Sequence, residues 1–170
     1  MENEVVVGTI KTPLGGFGAA FSAKGLGRLT FASEPLSHCE DWASQWLPQA
    51  RPVRHDPRLE ELAEQLNAYL AGDLRQFTIP LDMRGTPFQL EVWEALLEIG
   101  YGEIRSYGQI AHQIGKPKAV RAVGAANGAN PVPIIVPCHR VIGSGWNLTG
   151  YGGGLPLKER LLKLEGALLV

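Results

Sequence analysis

Three prolines, Pro131, Pro133 and Pro137, exclude a helix from the stretch Asn130-Pro131-Val132-Pro133-Ile134-Ile135-Val136-Pro137. Each fixes its own φ and steers the preceding residue away from the α region. The stretch is therefore expected as a stiff, extended lead-in, and it delivers the chain to Pro137-Cys138-His139-Arg140. A thiol attacks as its thiolate, and a neighbouring imidazole or cation lowers the free-cysteine pKa of about 8.5. The competing reading is a buried cysteine packed as a small hydrophobe. Downstream, Gly143, Gly145, Gly150, Gly152, Gly153 and Gly154 would let backbone amides approach a ligand. Trp146 and Tyr151, interleaved among them, would gain by packing, so a pocket wall fits this region better than a flexible linker.

The 170 residues are enough for one or two small domains with real cores. Sixteen Lys and Arg against 17 Asp and Glu leave a net charge of −1, so a nucleic-acid partner would have to meet a local basic face. The two cysteines, Cys39 and Cys138, read as those of a reduced intracellular protein. His38-Cys39 has no companions to complete a metal site and is read as structural. With no signal peptide at the start and no apolar run of membrane-spanning length, a cytoplasmic protein without metal or cofactor is expected.

The fold class is expected to be α+β, with a domain boundary near Ile79 to Gly85 that separates residues 1–83 from 84–170. In the first part, Val5 to Lys11, Phe17 to Phe21 and Leu26 to Phe31 alternate with glycine turn signals, which predicts a small antiparallel sheet. Ser37 with Glu40 predicts a capping box opening a helix to about Leu47. Asp56-Pro57 caps a second helix whose apolar face is Leu59, Leu62, Ala63, Leu66 and Leu70.

In the second part, Thr86-Pro87 with Gln89 opens a helix lined by Phe88, Val92, Ala95, Leu96 and Ile99. Ser106 with Gln109 opens a short one through Ile114. Lys116-Pro117 then opens another, Lys118 to Asn127, so the pair is either a helix-turn-helix or an ordinary helical hairpin. A last helix follows Leu155-Pro156, with Leu157, Leu161, Leu164 and Leu168 as its stripe. Glu165 sits on the edge of that stripe, where it is either a snorkelling surface residue or a buried, paired carboxylate.

Taken together, "RAVGAANGANPVPIIVPCHRVIG" and "LTGYGGGLPLKERLLKLEG" closely resemble the O6-alkylguanine-DNA alkyltransferase family over residues 84 to 168. The amino-terminal part is similar in architecture only. The resemblance implies a mainly helical, winged-helix-like domain carrying both DNA binding and the active site. Cys138 would take the alkyl group from damaged guanine irreversibly, one lesion per molecule. His139 would act on Cys138 through a water, and Glu165 would orient His139. Tyr107 would donate to N3 of the leaving guanine, and Arg121 would fill the place of the flipped base. Asn130 would be the hinge asparagine, while Pro133, Val141 (through its carbonyl), Tyr151 and Gly152 would line or contact the guanine pocket. Arg140 completes the motif as a structural ion-pair partner.

The implied partner is double-stranded DNA containing O6-alkylguanine, with alkylated thymine a further substrate to test, and the implied state is a monomer. Some features depart from the family pattern. Gly152 stands where many relatives have serine, though the family contact there is a backbone amide. Asn127-Gly128-Ala129 puts no cation at the end of the recognition helix, and the cysteines and histidines of an amino-terminal zinc site are missing. Two rival readings are a cysteine hydrolase using Cys138, His139 and Glu165, and a lesion-recognition protein without chemistry. A phosphate-loop protein is excluded, because no glycine-lysine-serine or threonine element exists.

Overall fold

The computed structural model describes residues 4–143 and 151–167. The chain divides into two compact units, Met1–Arg84 and Gly85–Val170. The architecture is the expected α+β arrangement.

In the first unit, β1 (Glu4–Thr12), β2 (Gly15–Phe21) and β3 (Leu26–Thr30) form an antiparallel meander. A fourth strand, β4 (Arg51–Val53), adds to β1 in parallel, giving the order β3-β2-β1-β4. The sheet is thus mixed where a purely antiparallel one was expected. Three residues centred on Pro52 carry no readable strand pattern, and an edge is where a residue lacking its N–H is tolerated.

Helix α1 (Ser37–Trp46) packs Cys39, Trp42 and Ala43 into a core with Val5 and Ala20. Gly27 allows this, since a Cβ there would lie 1.9 Å from the Trp42 ring. The capping box expected at Ser37 and Glu40 does not form. Leu36 is the N-cap, already in the αR region, so Ser37 lies inside the helix. Entry is set instead by the Glu34 carboxylate, which accepts from the Phe31 N–H at 3.1 Å. Helix α2 (Pro57–Leu70) starts as expected, with Asp56 accepting from Arg58 N at 2.8 Å, and buries Leu62, Leu66 and Tyr69.

In the second unit, α3 (Pro87–Leu97) and α4 (Tyr107–Gln113) both begin with complete capping boxes, Thr86/Gln89 and Ser106/Gln109. Helix α5 (Val120–Gly128) begins two residues later than predicted. Lys116 to Ala119 closes a separate turn, Ala119 N to Lys116 O at 2.9 Å, and no side chain caps the helix. Gly115, with φ +74°, makes the turn between α4 and α5.

A two-residue strand, β5 (Arg105–Ser106), pairs in parallel with β6 (Val141–Ile142). Helix α6 (Leu155–Leu164) buries Lys158, Leu161 and Leu162. Leu157 and Leu164 are half-buried, and Leu168 lies outside the described residues.

Candidate active site

The proline-rich stretch is buried from Pro131 to Pro137, and it is not extended. Ile135 N bonds Pro133 O at 2.9 Å around Ile134, whose φ is +72°. That is a γ-turn of the rare, strained hand, on a β-branched residue. Cys138 N bonds Val136 O at 2.8 Å around Pro137 (φ −81°, ψ 64°), a second γ-turn of the common hand. Proline did exclude a helix here, but the chain folds into consecutive tight turns and then into one turn of 3₁₀ helix, Cys138–Arg140.

These turns are held by Asn130, which is 8% exposed. Its Nδ2 donates to Val136 O at 2.8 Å, and its Oδ1 accepts from Val132 N at 3.0 Å. Its amide also draws the pKa of the Cys138 thiol down, against the larger effect of burial.

His139 and Glu165 meet in the interior, their side chains fully buried. His139 Nε2 and Glu165 Oε2 are 2.8 Å apart. Arg140 grips the same carboxylate with two bonds, Nε to Oε1 at 2.8 Å and Nη2 to Oε2 at 3.0 Å, and donates Nη1 to Ile99 O at 2.6 Å. A carboxylate paired with arginine only accepts, so Nε2 of His139 carries the proton and Nδ1 is the basic nitrogen. That Nδ1 is buried with no hydrogen-bond partner among the described residues. Gly102, with φ +80°, brings its N–H to 3.4 Å from Glu165 Oε1; a Cβ there would sit 2.9 Å from the Glu165 carbonyl.

The electrostatics correct the expectation of an acidified thiol. Burial pushes Cys138 up to about 11, outweighing the Asn130 amide and the Lys158 charge. Burial also lowers His139, against the pull of Glu165, so the imidazole is neutral and cannot act as the cation that would acidify its neighbour. At neutral pH Cys138 rests as a thiol, and its proton must be removed during attack.

Lys158 was missed in the sequence. It is fully buried, donates Nζ to Val141 O at 2.6 Å, and its pKa is lowered by burial and raised by Cys138. A signal existed, because Lys158 precedes Leu161 by three residues and Glu165 by seven, the spacing of one helix face.

Of the other candidates, Val141 and Pro133 are buried. Tyr107, half-buried, opens α4 directly after β5, and its ring lies 4.0 Å from where a Cβ of Gly124 on α5 would sit. Arg121 stands exposed on α5. Tyr151 is half-buried and Gly152 exposed just ahead of α6, while Gly145, Trp146 and Gly150 lie outside the described residues.

A buried His139–Glu165–Arg140 cluster next in sequence to a buried thiol, in the same unit as the α4–α5 helix pair, fits a protein that uses its thiol as acceptor or nucleophile. Family models agree. Residues 87–167 match the 6-O-methylguanine DNA methyltransferase DNA-binding domain, and residues 5–83 match the ribonuclease-like domain of the same family. The chain belongs to the 6-O-methylguanine DNA methyltransferase family.

The methylated-DNA–protein-cysteine methyltransferase of Mycobacterium tuberculosis is 66% identical over 102 residues, 60% of this chain and 62% of that protein. That of Methanosarcina barkeri is 47% identical over 158 residues, 92% of this chain and 94% of that protein. The crystal structure of M. tuberculosis OGT in complex with DNA superimposes with a TM-score of 0.80 at 47% identity, covering 95% of this chain and 93% of that one. DNA is thus the partner that the family domain indicates. No helix among the described residues is long and apolar enough to cross a membrane.

Proposed function

We propose that this chain repairs O6-alkylguanine in duplex DNA by moving the alkyl group to Cys138 in a single turnover, acting as a cytoplasmic monomer. The observation that carries the reading is the buried His139–Glu165–Arg140 array beside a thiol that rests protonated. The target base must leave the stack at a cost of a few kcal/mol, and Arg121, exposed on α5, is suited to fill the gap. The Cys138 sulfur then attacks the alkyl carbon. An S–C bond forms as the O6–C bond breaks, the thiol proton passes through a water to His139 Nδ1, and Tyr107 delivers a proton to N3 of the departing guanine. Lys158, which raises no barrier to a negative sulfur, favours the developing thiolate.

The thioether has no good leaving group, so the protein ends alkylated. Intact-mass measurement after incubation with an O6-methylguanine duplex should find one methyl group per molecule, mapped to Cys138 and not to Cys39. Repair of more than one lesion per molecule would favour a hydrolase-like cycle. Binding without mass gain would favour lesion recognition alone.

A further inference from the structure

Asn127 lies in the last turn of α5, the helix that carries Arg121, and is 4% exposed. Its surroundings are apolar. Val123 and Ala126 of the same helix are buried, and Trp93 of α3 donates its indole N–H to Ala126 O at 2.8 Å. An apolar side chain such as leucine, branched at Cγ in the same way, would suit such a place. Asparagine brings two polar atoms instead, and both are poorly served. Nδ2 donates to Cys138 O at a long 3.4 Å, and Oδ1 is buried with no hydrogen-bond partner among the described residues. Buried polar atoms left in that condition destabilise a fold. Asn130, three residues on, satisfies both ends of its amide, so the cost is particular to Asn127.

We propose that Asn127 is a positioning residue for alkyl transfer, fixing the Cys138 peptide relative to α5 and so the line along which the sulfur approaches the alkyl carbon. The proposal rests on Cys138 being the acceptor. Two amides, from the last turn of α5 and from the residues just after it, restrain the nucleophile at different points. Asn127 holds its carbonyl, and Asn130 holds the Val136 carbonyl, which accepts from the Cys138 N–H. A displacement of about 1 Å at a reacting centre costs about 100-fold in rate. A polar residue that weakens the core but restrains that centre is accounted for by this role.

The test is Asn127→Leu, which keeps the branching at Cγ and the number of side-chain heavy atoms and removes the hydrogen bond. Single-turnover alkylation is followed by intact mass on saturating O6-methylguanine duplex and on free O6-benzylguanine, alongside duplex Kd and melting temperature. The expected result is a loss of about tenfold on both substrates, an unchanged Kd, and a melting temperature equal to or above the parent's. Parent rates on both substrates would overturn the proposal. So would a loss confined to the duplex with weakened Kd, which would assign Asn127 to docking of the helix. If Asn127→Leu does not fold, Asn127→Ala is read by the same criteria, and failure of both to fold would make the residue structural. Absence of mass gain in the parent protein would instead remove the acceptor reading itself.

Discussion

Replacing Glu165 by Gln separates two duties that the structure assigns to one carboxylate. Glu165 is the counter-ion of Arg140, through two bonds of 2.8 and 3.0 Å, and the acceptor for His139 Nε2 at 2.8 Å. Neutralising it leaves the guanidinium buried without its partner, an arrangement that costs about 3–5 kcal/mol. For a chain of this size that lowers the melting temperature by roughly 10 °C. The amide also presents an N–H to His139. If His139 accepts that bond at Nε2, its proton moves to Nδ1 and the basic nitrogen left for the thiol proton is lost, a tautomer error that general-base contributions of about 10²–10⁴-fold make visible in the rate.

The double variant Arg140→Met/Glu165→Gln removes both charges. Only the Ile99 carbonyl then lacks its donor, at about 1 kcal/mol. The double variant should therefore regain most of the stability lost by Glu165→Gln but none of the alkylation rate. Urea denaturation and single-turnover mass spectrometry read the two quantities separately. Parent-like transfer by the double variant would refute the role of Glu165 in setting the His139 tautomer, and a Glu165→Gln protein as stable as the parent would refute the buried ion pair.

Where a residue's chemistry acts on its own backbone neighbours, the sequence was legible. Thr86/Gln89, Ser106/Gln109 and Asp56-Pro57 start helices where read, because a cap is a contact within four residues. Ser37/Glu40 has the same capping-box spacing and fails, since the apolar Leu36 packs against the core and Ser37 is drawn into the helix. Strands of two or three residues, β4, β5 and β6, carry no periodicity and exist only through their partners. The candidate site divides the same way. Cys138 and His139 are adjacent, but successive side chains in a 3₁₀ turn diverge by about 120°, so adjacency in sequence did not give the pair the mutual electrostatics first expected. His139 faces Glu165, 26 residues away. Lys158 and Asn127 were overlooked for a shared reason. Each is a polar residue whose meaning lies in one distant backbone carbonyl, Val141 for the first and Cys138 for the second.

The cysteines and His139 set opposite limits on stability with pH. Cys39 and Cys138 are both raised from 9.0 to about 11 by burial, so the unfolded chain loses these protons first. Stability present below pH 9 should fall between about pH 9 and 11, by about 2–3 kcal/mol for each thiol. His139, lowered from 6.5 by burial, is protonated first in the unfolded chain, so stability should also decline as pH drops below 6.5. Denaturation midpoints across this range check both limbs, and a flat alkaline limb would contradict the burial of the thiols. Base extrusion and chemistry separate through Arg121 and Tyr107, which lie on α5 and at the start of α4. Filling a vacated stack matters only where a stack exists. Arg121→Ala should therefore slow repair in duplex DNA, by no more than the few kcal/mol that unstacking costs, and leave free O6-benzylguanine nearly untouched. Tyr107→Phe should impair both substrates, because both must expel a guanine. Equal losses on the two substrates for Arg121→Ala would place that residue in the pocket or in folding, since nothing about a free base requires a residue to take its place in the duplex.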